Sequence, residues 1–202
     1  MDIIPEKPKE FTNRNRKGEL LSKTAKIFAE KGYQACTVQE IALALSISKG
    51  GLYWHFKSKE ELYLQVCESY CISSVEAIQL MLEKDSVTFE ELHGKFTMLL
   101  EGYLDDPIQV DLIIDFYAEA KRSKLIHNKL IELMAQRERL LIILIKKLVF
   151  ENIVEPIDPI WTAKTLVSSL MGLLLKFALL RDKKMVIEEF DLFFASFFQK
   201  KK

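Results

Sequence analysis

Lys49, Gly50, Gly51, Tyr53, Trp54 and His55 sit together in one short segment, KGGLYWH, directly after Ser48. The set combines a cation, two bare backbone positions and three aromatic side chains that can also hydrogen-bond. Ser48 is a helix N-cap residue. The free N–H groups behind it, with glycines permitting close approach, suit phosphates and base edges. Two adjacent glycines at a helix start are costly for stability. They make sense where the backbone must come close to a partner. Leu52 and Phe56, four residues apart, turn inward and leave Lys49, Tyr53, Trp54 and His55 facing out. This is binding chemistry. The chain shows no nucleophile–base pair, no paired carboxylates and no metal-ligand cluster, which argues against an enzyme and against a metal or other cofactor. Cys36, Cys67 and Cys71 are an odd, sparse set. Cys67 and Cys71 lack companion ligands and read as small buried hydrophobes in a reducing cytosol.

The binding segment needs elements to hold it. Thr37 with Glu40 forms a capping box. It starts a helix in which Ile41, Ala42 and Leu45 fall at helical spacing, and a connector at 45–47 leads to Ser48. Two short helices joined by so tight a turn form a helix-turn-helix, whose second helix can enter the major groove.

At these residues the chain resembles the tetracycline-repressor (TetR) family of one-component regulators. The resemblance covers about residues 20–64: Ala25 and Phe28, Gly32-Tyr33, Thr37 with Glu40-Ile41-Ala42, and then SKGGLYWHFKSKEEL. It implies a DNA-binding domain in which Tyr53, Trp54 and His55 meet the DNA backbone or thymine methyls. Thr37 and Lys59, at the starts of the flanking helices, would hold phosphates. The chain departs from the family at Ser46, where glycine is usual. Either Ser46 takes a left-handed conformation or the turn has another shape.

Composition agrees with a two-part molecule. Hydrophobic residues make up 49% of 202 residues, with only seven Gly and five Pro, as in a compact helical protein. The net charge is zero, yet residues 1–57 hold ten Lys/Arg against six Asp/Glu. A basic end on a neutral chain suits a DNA-binding module joined to another domain. Residues 1–12 read as a flexible arm whose Lys7 and Lys9, with Arg14, Arg16 and Lys17 beyond, could reach phosphates. Residues 13–58 form the helix-turn-helix domain and 59–202 a ligand-binding and dimerisation domain.

Hydrophobic periodicity predicts about nine helices and no strand, an all-α fold. The first runs over 13–31 with Gly32 as its stop. The fourth opens at a Ser58/Glu61 capping box and reaches about residue 84. The fifth follows a Thr88/Glu91 box, and the sixth starts at Asp106-Pro107 and ends near 122. The seventh spans 124–150, the eighth runs from Asp158-Pro159 to 180, and the ninth spans 183–198. The eighth is apolar nearly all round from Leu166, and the ninth carries Phe190, Phe193, Phe194, Phe197 and Phe198. Such helices need a second partner, unless both are central core helices of a monomer. A homodimer through these two helices supplies one, as the resemblance also implies, with Leu174 and Phe194 as seam positions. The apolar stretch 165–180 contains Lys176 and falls short of the ~20 residues that span a bilayer, so no membrane is expected and a cytoplasmic location is.

Within the second domain Phe96, Tyr103, Phe116, Tyr117 and Trp161 are candidate linings of a ligand pocket, each with a core role as its plainer alternative. Arg137 lies four residues after Leu133 and four before Leu141, inside an apolar stripe. A buried Arg demands an anion. Asp115 or Glu119 is the favoured partner, with an acidic or acyl ligand as the other. The resulting expectation is a repressor released from a palindromic operator in double-stranded DNA by a small, apolar or acyl-like effector. The alternative is an effector-independent or architectural DNA-binding protein of the same fold.

Overall fold

A computed structural model describes residues 11–201, with side chains from Lys17 onward. The first ten residues of the expected arm, Lys7 and Lys9 among them, and the side chains of Arg14 and Arg16 lie outside the described residues. Among those described there are nine helices: α1 (Phe11–Ala35), α2 (Val38–Ala44), α3 (Lys49–His55), α4 (Lys59–Glu83), α5 (Phe89–Asp105), α6 (Pro107–Glu119), α7 (Lys124–Phe150), α8 (Pro159–Leu180) and α9 (Lys183–Phe197). The one extended pairing among them is an isolated antiparallel bridge, Val154 to Lys200. Two compact units divide between Cys67 and Glu68, inside α4. The sequence had set its boundary at 58/59.

Local chemistry sets the helix ends. Thr88 and Glu91 form a reciprocal box at α5, and Asp106, Ser123, Asp158 and Asp182 each cap the next helix through a side-chain oxygen. The box expected at α4 is rearranged. Ser58 Oγ accepts from the Glu61 N–H at 3.0 Å, but the Glu61 carboxylate accepts from the N–H of Lys57 at 2.7 Å. Gly32, at φ 75°, breaks the helical path within α1. In the first unit Phe28, Ile41, Leu52, Phe56 and Tyr63 are almost wholly buried, and Tyr63 meets the Phe28 ring edge-on at 5.0 Å.

The second unit packs α8 chiefly on α7, with α5 and α9 together beside them. Its core draws on every helix from α4 to α9, including Ile78, Leu100, Leu144, Val167, Phe177 and Phe194. Charged clips join the elements. Arg181 holds both oxygens of Asp111 at 3.0 and 3.2 Å, and Lys147 donates to the carbonyls of Leu82 and Lys84 at the end of α4. That lysine lies where the helix dipole favours a cation. Helix α8 is long and apolar enough to cross a membrane by length and composition, and 28% of its most apolar window is buried. One face carries buried Leu166, Val167, Leu174 and Phe177. The other leaves Trp161, Leu175 and Leu179 exposed.

Candidate nucleic-acid interface and ligand cavity

In the first unit the capping box at Thr37 is complete. The Glu40 N–H donates to Thr37 Oγ1 at 3.2 Å, and the Thr37 N–H donates to Glu40 Oε2 at 2.8 Å. Lys31 adds an ion pair to Glu40 at 3.1 Å. The Thr37 backbone and hydroxyl, then Lys31, hold the Glu40 carboxyl down at about 2. Thr37 is exposed but already engaged as a cap.

The turn answers the question posed by Ser46. Its φ is 56°, in the left-handed region. The Ile47 N–H donates to the Ala42 carbonyl and the Ser46 N–H to the Leu43 carbonyl, both at 3.0 Å. These are the two bonds of a Schellman C-cap. The turn therefore keeps the shape that glycine would give, and Ser46 carries the strain.

Ser48 then caps α3, accepting from the Gly51 N–H at 2.9 Å. Leu52 and Phe56 are 2% and 1% exposed and anchor the helix, while Trp54 is 74% and Tyr53 43% exposed. Lys49 is exposed and lies over the Tyr53 ring at 5.9 Å; His55, half-buried, meets Trp54 edge-on at 4.7 Å. A Cβ on Gly50 would meet only Ser48 Oγ, at 3.9 Å, so nothing in the chain itself requires glycine there. Lys59 is engaged internally: Nζ donates to the Cys36 carbonyl at 2.6 Å and sits 4.3 Å from the Tyr33 ring centroid. The fold thus brings Ser48, Lys49, Gly50, Gly51, Tyr53, Trp54 and His55 onto one short capped helix. Thr37 and Lys59 frame it through bonds of their own.

Among the cavities of the second unit, two adjoin each other. The larger, about 60 Å³, is bounded by Phe96, Tyr103, Arg137 and Leu170 with apolar neighbours from α8 and α9, and the smaller by Cys71, Tyr103, Tyr117, Arg137 and Leu170. Four of the six residues expected to line a pocket meet here. Phe116 is 1% exposed and belongs to the packed core, and Trp161 is 60% exposed, its ring 5.3 Å from Phe197. Neither is among the residues bounding these two cavities. Glu119, itself buried, is held by Arg122 at 2.6 Å, and Arg137 Nε is buried with no acceptor. Burial pushes the Cys71 thiol up, and Arg137 offsets part of that rise. Sequence reasoning missed Ser74 and Phe193 in the larger cavity; their helical phase was visible, but which faces of α4 and α9 turn toward the cavity is a tertiary fact. All three cysteines are buried and outside any disulfide, and no group of His, Cys, Asp and Glu among the described residues could hold a metal ion.

Comparison with known proteins bears on both units. Residues 20–66 match the family described as bacterial regulatory proteins, tetR family. The repressor KstR2 of Mycolicibacterium smegmatis is 35% identical over 54% of this chain and 51% of its own length. The regulator QacR of Staphylococcus aureus is 32% identical over 57% of this chain and 61% of its own. The chain thus spans between half and two thirds of these curated relatives. Among solved structures, the TetR family transcriptional regulator PfmR of Thermus thermophilus has a TM-score of 0.68 and 26% identity, covering 88% of this chain and 94% of that one. Salmonella enterica GusR, at 18% identity and a TM-score of 0.75, covers 90% and 94% and supports the all-helical fold.

Proposed function

We infer, from a chain that belongs to the tetR family in its DNA-binding segment and in its fold, a cytoplasmic, homodimeric repressor that leaves a palindromic operator when a small, largely apolar molecule enters the α4–α9 unit. The observation that carries this reading is α3 itself. Leu52 and Phe56 fasten it, and Lys49, Tyr53 and Trp54 project from a glycine-bearing N-terminal turn. Such a helix can lie in a major groove, with lysine on phosphate and aromatic faces on sugar and thymine methyls. Two half-sites require two copies, and the exposed apolar surface of α8 supports dimerisation through α8 and α9. The cavities support effector control over an architectural role. An effector acts by binding better to the conformer whose recognition helices no longer match the half-site spacing.

Operator titrations test the reading. Lys49→Ala and Tyr53→Ala should each weaken specific binding by about 1–3 kcal/mol while the helical circular dichroism stays unchanged. Loss of a phosphate-contacting lysine should also flatten the salt slope by about one unit per half-site. Full-strength binding by both variants would remove α3 from the interface.

A further inference from the structure

The two adjoining cavities of the second unit share one corner, formed by Tyr103, Arg137, Val167 and Leu170. Among the described residues, Arg137 is the only charged side chain lining either, and no carboxylate does so. Its Nε is buried without an acceptor, while Glu119, an acid within reach in the sequence pattern, is committed to Arg122 at 2.6 Å. A guanidinium nitrogen left without an acceptor among aliphatic and aromatic walls calls for an anion, and neither cavity lining supplies one.

We propose that the two cavities are one binding site for an amphipathic monocarboxylate, its carboxylate on Arg137 and its apolar tail among Phe96, Leu173, Phe190 and Phe193. This rests on the regulator reading above and names the class of effector. Charge decides the head group. One fixed cation neutralises one carboxylate, and the planar guanidinium fork matches its two oxygens. A phosphate monoester brings about −1.5 to −2 and would leave negative charge buried and unpaired. An ammonium would face a like charge. Tyr103 and Tyr117 border the same corner and offer hydroxyl donors, and burial raises Tyr117, which keeps it protonated. Size decides the tail. The larger cavity, about 60 Å³, is well below the roughly 300–1,000 Å³ of drug-sized pockets. A medium-length chain therefore enters by displacing the half-buried Phe96 and Phe193.

Calorimetric titration of the full chain with octanoate, 1-octanol and octylammonium tests this. Octanoate should bind at least about tenfold more tightly than 1-octanol, as one retained charged hydrogen-bond pair requires, and octylammonium should bind more weakly than either. Arg137→Met should bring octanoate to the level of 1-octanol, leave 1-octanol unchanged and melt no lower than the parent without ligand. Equal binding of acid and alcohol by the parent, or binding of neither, would overturn the proposal. So would a preference for the acid that survives Arg137→Met. A ligand-free melting point that falls in both Arg137→Met and Arg137→Lys would also overturn it, because the guanidinium would then serve an internal anion. Should Arg137→Met fail to fold, the acid-to-alcohol ratio of the parent still decides. Selective octanoate binding that leaves DNA binding untouched would overturn effector release and leave the site standing.

Discussion

Glu40 ties the start of α2 to two neighbours through one carboxylate, and this gives it a testable titration. Its folded value of about 2 lies below the ordinary 4.5. The stabilisation it supplies is therefore fully present above about pH 4.5 and fades as pH falls through about 2. Carboxyl-resolved NMR should find its midpoint near 2, and Thr37→Val should move it up; a midpoint near 4.5 in the parent would mean the box is open in solution. Other single residues differ in how much the sequence revealed. The box itself was legible, because Thr-x-x-Glu before an apolar run is a local signal. Ser46 was half legible. The departure from glycine could be seen, but only the backbone, at φ 56°, shows that the turn kept its shape and placed the strain on serine. Arg137 was legible as an anomaly, but not that Arg122, only three residues along the chain from Glu119, holds that acid.

At the scale of elements, α3 combines a weak helix start with a strong anchor. Gly50 has open space around it within the chain, so Gly50→Ala should raise thermal stability by about 0.5–1 kcal/mol. The same methyl should lower operator affinity about tenfold or more if the backbone must touch DNA there. A variant that is stabilised and binds with full strength would show that the glycine serves no close approach. The helix boundaries were readable to within a few residues because caps and prolines are local. Faces were harder. Leu174 and Phe194, expected at a seam between copies, are each 2% exposed and belong to the chain's own core. Trp161, expected to line a pocket, lies on the outside. An apolar helix announces that it must be covered, but only packing tells which side its own chain covers.

At the scale of the whole molecule, the exposed apolar residues that a partner copy could cover include Leu175 and Leu179 on α8, 46% and 75% exposed, and Leu192 on α9 at 74%. Ser168 and Gly172 share the exposed face of α8 and would let two helices approach closely. Leu175→Glu combined with Leu179→Glu should convert the proposed dimer to a monomer in sedimentation velocity while sparing the fold, since neither side chain lies in the core. An unchanged dimer would move the interface elsewhere. The all-α fold and the helix-turn-helix were legible because each follows from period and motif; the cavities were not, because no local pattern records where side chains fail to meet. Two copies of α3 on one face of DNA are the core of the functional reading, and a nuclease footprint on DNA from next to the protein's own gene tests it most directly. It should show two symmetric protected half-sites about 34–36 Å apart, centre to centre, that persist against non-specific competitor and vanish with Tyr53→Ala. Protection that is uniform along the fragment, or a footprint unchanged by Tyr53→Ala, would contradict it.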